Sequence, residues 1–155
     1  MGDAIVPPAE EVTYPVLLQH PAPRLRAYCM ETVIAEKLHA MVTHGMQNTR
    51  MKDYFDLYYL SRQFAFTRDP IRLAIVATFS RRGNQVPQEL PLGLTVTFAD
   101  DTLKQTQWNA FLRKMVNESI SLSLPEVVAS IADFIKPILD SDSGELSWAP
   151  AGPWK

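Results

Sequence analysis

Two stretches decide how this chain folds: Met30-Glu31-Thr32-Val33-Ile34-Ala35-Glu36-Lys37-Leu38-His39-Ala40-Met41-Val42 and, past Gly45, Asn48-Thr49-Arg50-Met51-Lys52-Asp53-Tyr54-Phe55-Asp56-Leu57. In the first, Met30, Val33, Ile34, Leu38, Met41 and Val42 recur at helical spacing, with Gly45 as the stop. The second predicts a helix that starts near Asn48 or Thr49, both good caps, and runs to about Phe64. Tyr54, Phe55, Tyr58 and Tyr59 make it apolar nearly all round, the pattern of a central buried helix rather than of a platform for stacked bases.

On a helical wheel Lys37 falls between Val33 and Met30, inside the apolar stripe. An unpaired buried ammonium is costly, so the amine either snorkels past the helix edge or finds a partner. Asp53 offers one, because it falls among Leu57, Leu60 and Phe64 on the second helix. A carboxylate near a helix start is also favourable for purely electrostatic reasons. A cation and an anion that each intrude on an apolar stripe in consecutive helices predict a semi-buried pair, with Lys37 reaching Asp53 in preference to Asp56. Such a pair adds little net stability, which points to function. Asp56 falls elsewhere on the wheel, beside Lys52, and reads as half of an ordinary surface pair. Arg50 and Lys52 stand at the helix start, where cations and free N–H groups can hold phosphate oxygens; a solvated helix start is the plainer alternative.

Working outward, Asp69, Pro70 and Gly83 predict the cap, first position and end of a third helix. Residues 84–98 read as a loop. A fourth helix fits 101–116, with Leu103, Trp108, Phe111, Leu112 and Met115 on one side. Ser123 and Glu126 predict a capping box for a fifth, which Pro137 bends or ends. Trp148 and Trp154 predict that the tail, 140–155, docks on the body. On the other side, Tyr14–Leu18 and Leu25–Cys29 flank His20-Pro21-Ala22-Pro23 as two extended segments around a turn. The expectation is one mainly α domain: an extended or β entry over 1–29, about five helices over 30–139, and the tail.

Of the 155 residues, 46% are hydrophobic and 21% charged, with a formal net charge of −2. That is globular composition, and it excludes a dedicated non-specific nucleic-acid binder while leaving local basic patches open. Cys29 is the single cysteine; it rules out an internal disulfide and a cysteine metal cluster, and reads as a small buried residue. No run reaches the roughly 18 apolar residues of a membrane span, and the start lacks a signal-peptide pattern, so a cytoplasmic protein is expected. His20, His39 and His44 form no metal spacing, and His39 reads as a surface histidine. Arg81-Arg82 completes a helix C-terminus.

Arg26-Ala27-Tyr28, the run Glu31 to Met41 and the run Asn48 to Leu57 resemble the AbiEii/AbiGii family. These are nucleotidyltransferase-like proteins, many of them toxins of type IV toxin–antitoxin systems. The resemblance continues through Thr78-Phe79-Ser80-Arg81-Arg82, Gln107 to Phe111, and Trp148-Ala149-Pro150 with Pro153-Trp154, nearly the whole chain. Ala35-Glu36-Lys37 and Arg50-Met51-Lys52-Asp53, in order and at this separation, are its most specific part. Family members open with a glycine-rich segment and an Asp-x-Asp pair that hold nucleotide and metal, followed by an acidic strand ending in Gly-Asp. Here Met1-Gly2-Asp3 looks like the tail of that strand, Asp100-Asp101 is not the Asp-x-Asp motif, and the reading is that no Asp-x-Asp occurs anywhere in the chain. Cys29-Met30 also stands where the family more often has a proline-containing turn.

The resemblance implies the C-terminal half of such a protein. Lys37 would contact the phosphates, Asp53 would orient it, and Arg50 or Lys52 would meet phosphate or acceptor RNA, such as tRNA. Nucleoside triphosphate and Mg²⁺ are implied for a complete member, with no cofactor held by this chain, which alone is expected to be inactive. A cognate antitoxin or helper chain is the implied partner. Two alternatives stay open: a non-catalytic helical module that binds a protein, and an RNA-contacting fragment using Arg24, Arg26, Arg50 and Lys52. Self-association through the apolar segment 14–28 is expected if the preceding half is missing.

Overall fold

The computed structural model describes residues 12–13, 24–25, 29–115, 121–141 and 144–155. These residues are mainly helical. The order is β1 (Val12–Thr13), β2 (Arg24–Leu25), α1 (Met30–His44), α2 (Met51–Gln63), β3 (Phe66–Thr67), α3 (Arg68–Arg81), α4 (Val96–Ala99), α5 (Thr102–Met115), α6 (Leu124–Leu139) and β4 (Ser147–Trp148). β1 and β2 pair antiparallel, Val12 with Leu25 and Thr13 with Arg24. The expected extended segments at 14–18 and 26–28, and self-association through them, lie outside the described residues.

α1 ends as its sequence predicts: Gly45 takes φ 53° and its N–H closes on the Met41 carbonyl. Ile34, Ala35, Leu38 and Met41 are buried against the neighbouring helices, α3 above all. Ile34, Leu38 and Met41, fully buried, each contribute roughly 1.5–3 kcal/mol. α2 is central, touching α1, α5 and α6, and Tyr54, Phe55, Leu57 and Leu60 are all buried. The Tyr54 hydroxyl donates to the Gly93 carbonyl at 2.8 Å, and a Cβ on Gly93 would sit 2.7 Å from that oxygen, so the close approach requires glycine.

Several sequence expectations shift. α2 starts at Met51 rather than Asn48 or Thr49, although the Asn48 side chain accepts from the Arg50 N–H. α3 starts at Arg68, so Asp69 lies in the first turn and Thr67 is the cap. The segment 84–98 is not all loop: it holds a 3-10 turn, Leu92–Leu94, and the short α4. On α5 the side expected to be apolar is altered, with Leu103 at 60% exposure and Lys104 at 4%. The Lys104 ammonium donates to the Asn48 carbonyl at 2.8 Å while passing over the Phe98 ring.

α6 carries the predicted capping box, with Ser123 and Glu126 serving each other's backbone. The Ser123 backbone N–H and the Ser123 hydroxyl both donate to the exposed Glu126 carboxyl and hold it below its ordinary range. Pro137 does not end the helix, which continues to Leu139. Its last carbonyls find donors elsewhere: Arg68 bonds those of Pro137, Ile138 and Asp140, and Arg72 bonds those of Ile138 and Leu139. The tail docks as expected. β4 pairs with β3, Phe66 opposite Trp148, and the two tryptophan N–H groups donate to the Ser61 and Phe134 carbonyls. The ring of Phe134 stacks on Trp154 and meets Trp148 edge-on.

Candidate functional site

Lys37 stands on the face of α1 turned to α2, and its ammonium meets two carboxylates. Its Nζ donates to Asp53 Oδ1 at 3.0 Å and lies 3.0 Å from Asp56 Oδ2. The Lys37 side chain is 14% exposed, against 5% for Asp53 and 0% for Asp56. Asp53 is also held by Arg50, whose Nε donates to Oδ2 at 2.8 Å. The predicted Lys37–Asp53 pair is thus present, and snorkelling does not describe Lys37.

Asp56 corrects the sequence reading. It is the most buried acid of the cluster, and Lys52 approaches it only to 4.0 Å. The wheel set Asp56 apart from the apolar stripe of α2, but α2 has neighbours on more than one side, so leaving the stripe does not mean reaching water. The contact with Lys37 is close but poorly directed, and neither Asp56 oxygen receives a well-aligned hydrogen bond among the described residues. Burial raises its carboxyl above the ordinary range, with Lys37 and then Lys52 opposing the shift. An attraction of about 5 kcal/mol at 3 Å and an effective dielectric near 20 is offset by several kcal/mol of desolvation per ion. The cluster is therefore a poor device for stability alone.

Arg50 and Lys52 project from the start of α2, 60% and 51% exposed at their side chains. The backbone N–H groups of Arg50, Met51 and Asp53 are consumed by Asn48, Thr49 and Arg50. The cations therefore carry any anion recognition here more than these N–H groups do. Behind them, Lys104 grips the Asn48 carbonyl while Asn48 grips the Arg50 N–H, so α5 helps to place Arg50. Sequence reasoning missed Lys104; its only trace is a lysine one residue after an expected core leucine.

Two grooves meet at this cluster. One, of about 520 Å³, runs along α1 past Glu36, His39, His44 and Arg82. The other, of about 530 Å³, runs between the start of α2 and α5, past Lys52, Gln107, Phe111 and Lys114. Lys37, Arg50 and Asp53 line both.

The weaker candidates resolve differently. His39 is buried at 8% exposure, bonded to Asn84 at 2.7 Å and edge-on to Phe79, contrary to the surface reading. Cys29 is buried as expected, beside the Thr32 hydroxyl. Arg81 and Arg82 both bond Glu36, tying α3 to α1. His20 and Arg26 lie outside the described residues, as does the Arg24 side chain. An Asp-x-Asp spacing does occur, at Asp140-Ser141-Asp142 in the tail. Asp140 and Ser141 line a separate groove with Arg72 and Lys136, and Asp142 lies outside the described residues.

Among the described residues no group of three or more His, Cys, Asp or Glu side chains is placed to hold a metal ion. Asp53 and Asp56 face cations, so the cluster does not fit Mg²⁺. Among the same residues no helix is long and apolar enough to cross a membrane.

With this geometry in view, comparison with known families yields one match: the model described as nucleotidyl transferase AbiEii toxin, Type IV TA system, over residues 1–133. No significant match appears among the curated proteins or the solved structures.

Proposed function

The chain belongs to the AbiEii nucleotidyl transferase toxin family of type IV toxin–antitoxin systems, and from that premise we propose that its helical body, as the C-terminal part of such an enzyme, supplies the phosphate contacts of nucleotidyl transfer through Lys37. The observation that carries this is the Lys37 ammonium held between Asp53 and Asp56 where two grooves meet. Asp53 takes one of the ammonium's three donors and the contact with Asp56 is poorly directed, which leaves donor capacity for a phosphate oxygen. Asp53 aligns it, Arg50 adds a guanidinium with only Nε committed among the described residues, and Lys52 adds charge at the rim. Three cations facing two carboxylates leave a positive balance, which a polyphosphate would neutralise.

Asp56 supports the same reading. Burial raises the Asp56 carboxyl above its ordinary range and its contact with Lys37 is poorly directed, so this is the contact a phosphate would most readily replace. The metal-holding carboxylates that transfer requires are assigned to a region other than the described residues. The family also implies a cognate antitoxin as partner.

Titration with a nucleoside triphosphate, followed by calorimetry, tests the assignment. A charge-assisted hydrogen bond is worth about 1.5–3 kcal/mol, so Lys37→Ala should weaken binding roughly 10- to 100-fold. Lys37→Arg should weaken it less. Affinity unchanged in Lys37→Ala would remove Lys37 from the phosphate site.

A further inference from the structure

The groove along α1 has two cationic flanks, and a phosphate on Lys37 uses only one of them. Lys37, Arg50 and Asp53 stand on the side of α2. On the other side the end of α3 brings Arg82, whose Nη2 donates to Glu36 Oε1 at 2.6 Å. Val33 and Ala40 fall between Glu36 and Lys37 around α1, so a small apolar floor separates the flanks.

Arg82 is placed by more than its own ion pair. Its backbone N–H closes on the Thr78 and Phe79 carbonyls at the end of α3. Gly83 follows at φ 73°, a turn that favours glycine, and the next side chain, Asn84, meets His39 Nε2 at 2.7 Å. His39 is itself a buried residue of this groove. Arg81 also bonds Glu36 and ties α3 to α1 without lining the groove. The tie between the helices therefore does not require Arg82, and the single Glu36 charge is divided between two guanidinium groups. Among the described residues only Nη2 of Arg82 is committed, and its side chain is 42% exposed.

We infer that Arg82 is a second phosphate-binding residue, which together with Lys37 selects a nucleoside triphosphate over a monophosphate. A single phosphate is satisfied by Lys37 and Arg50 and has nothing to offer the far flank. A triphosphate carries further anionic oxygens, and a guanidinium fork takes two of them at once. Glu36 holds that fork at the groove wall, as Asp53 holds Lys37. The inference rests on the phosphate role of Lys37.

Calorimetric titration of the full 155-residue chain with a nucleoside triphosphate, its monophosphate and inorganic tripolyphosphate tests it. Arg82→Gln should weaken triphosphate binding roughly tenfold or more. It should move monophosphate binding by less than about twofold, so the preference between the two shrinks. Unchanged monophosphate binding also shows that the variant is folded. Arg82→Lys keeps the charge without the fork and should fall between the two proteins. Arg62→Gln removes the same charge from an exposed site outside the groove, in the last turn of α2, and should change neither affinity. Tripolyphosphate should depend on Arg82 as the nucleotide does. If it ignores Arg82 while the nucleotide does not, Arg82 reads the nucleoside and the phosphate assignment is overturned. Equal losses for triphosphate and monophosphate, or none for either, overturn it as well. Triphosphate binding that depends on Lys37 and ignores Arg82 removes Arg82 alone. Triphosphate binding that depends on Arg82 and ignores Lys37 removes the role of Lys37 and leaves Arg82 standing as a phosphate contact.

Discussion

Arg68 is a buried cation and Lys37 a half-buried one, and the molecule satisfies them in different ways. The Arg68 side chain, 5% exposed, gives most of its hydrogen bonds to the neutral carbonyls of Pro137, Ile138 and Asp140 at the end of α6, with the exposed Asp69 carboxylate as a longer contact at 3.4 Å. Those carbonyls carry the negative end of the helix dipole and need donors, which Arg68 supplies together with Arg72. Lys37 instead meets two full carboxylates, one of them poorly hydrogen-bonded, at the junction of two grooves. A cation that completes a helix end is architecture. A cation held between acids at a groove, where it could exchange one anion for another, is suited to binding.

Substitution should separate the two. Arg68→Met removes the donor of the partly buried Pro137 carbonyl and one of the two at Ile138, along with the bond to Asp140, so a loss of roughly 2–4 kcal/mol is expected. At about 2–4 °C per kcal/mol, thermal unfolding should fall by roughly 10 °C, while triphosphate affinity at unfolding-free temperatures stays as it was. A melt within about 2 °C of the unaltered chain would show that α6 ends equally well without Arg68.

Lys37→Met should do the reverse, abolishing most triphosphate affinity for a smaller stability loss. Asp53 keeps Arg50, and Asp56 can take up a proton, so about 1–2 kcal/mol is expected. A stability loss as large as that of Arg68→Met would erase the contrast and make Lys37 a structural cation.

The smallest effect is a slope. Because burial raises the Asp56 carboxyl above its ordinary value of 3.8, the folded chain holds that proton more readily than the unfolded one. Its stabilising share is fully present below 3.8 and is lost as pH rises through the folded value. Denaturant unfolding between pH 4 and 7 should therefore show Asp56→Asn gaining on the unaltered chain as pH rises, ending within about 1 kcal/mol of it at neutrality. Parallel profiles for the two proteins would mean that Asp56 titrates as in the unfolded chain.

Much of this was legible beforehand, for reasons that differ by element. α1 announced itself through its apolar spacing and Gly45, and α6 through the Ser123–Glu126 box, because both are local relations within one turn or two. The Lys37–Asp53 pair was legible because each residue broke the stripe of its own helix. α4 was not legible: Val96–Ala99 is one turn, too short to show a period. Leu103 and Lys104 misled because they are adjacent on α5, and which of them faces inward depends on the carbonyl waiting at Asn48.

The amino-acid order by itself determined the main helices, the docking of the tryptophan tail, and the motif by which the chain joins its family. These are short-range patterns, or bulky side chains that must bury somewhere. Only the tertiary structure decided that Asp56 lies inside, that Arg68 and Lys104 are buried, and that two grooves share Lys37. A helical wheel ranks the faces of one helix against each other but carries no information about what covers each face. α2 is flanked by α1, α5 and α6, so its less apolar face is enclosed as well, and the depth of a charge there is a property of its neighbours.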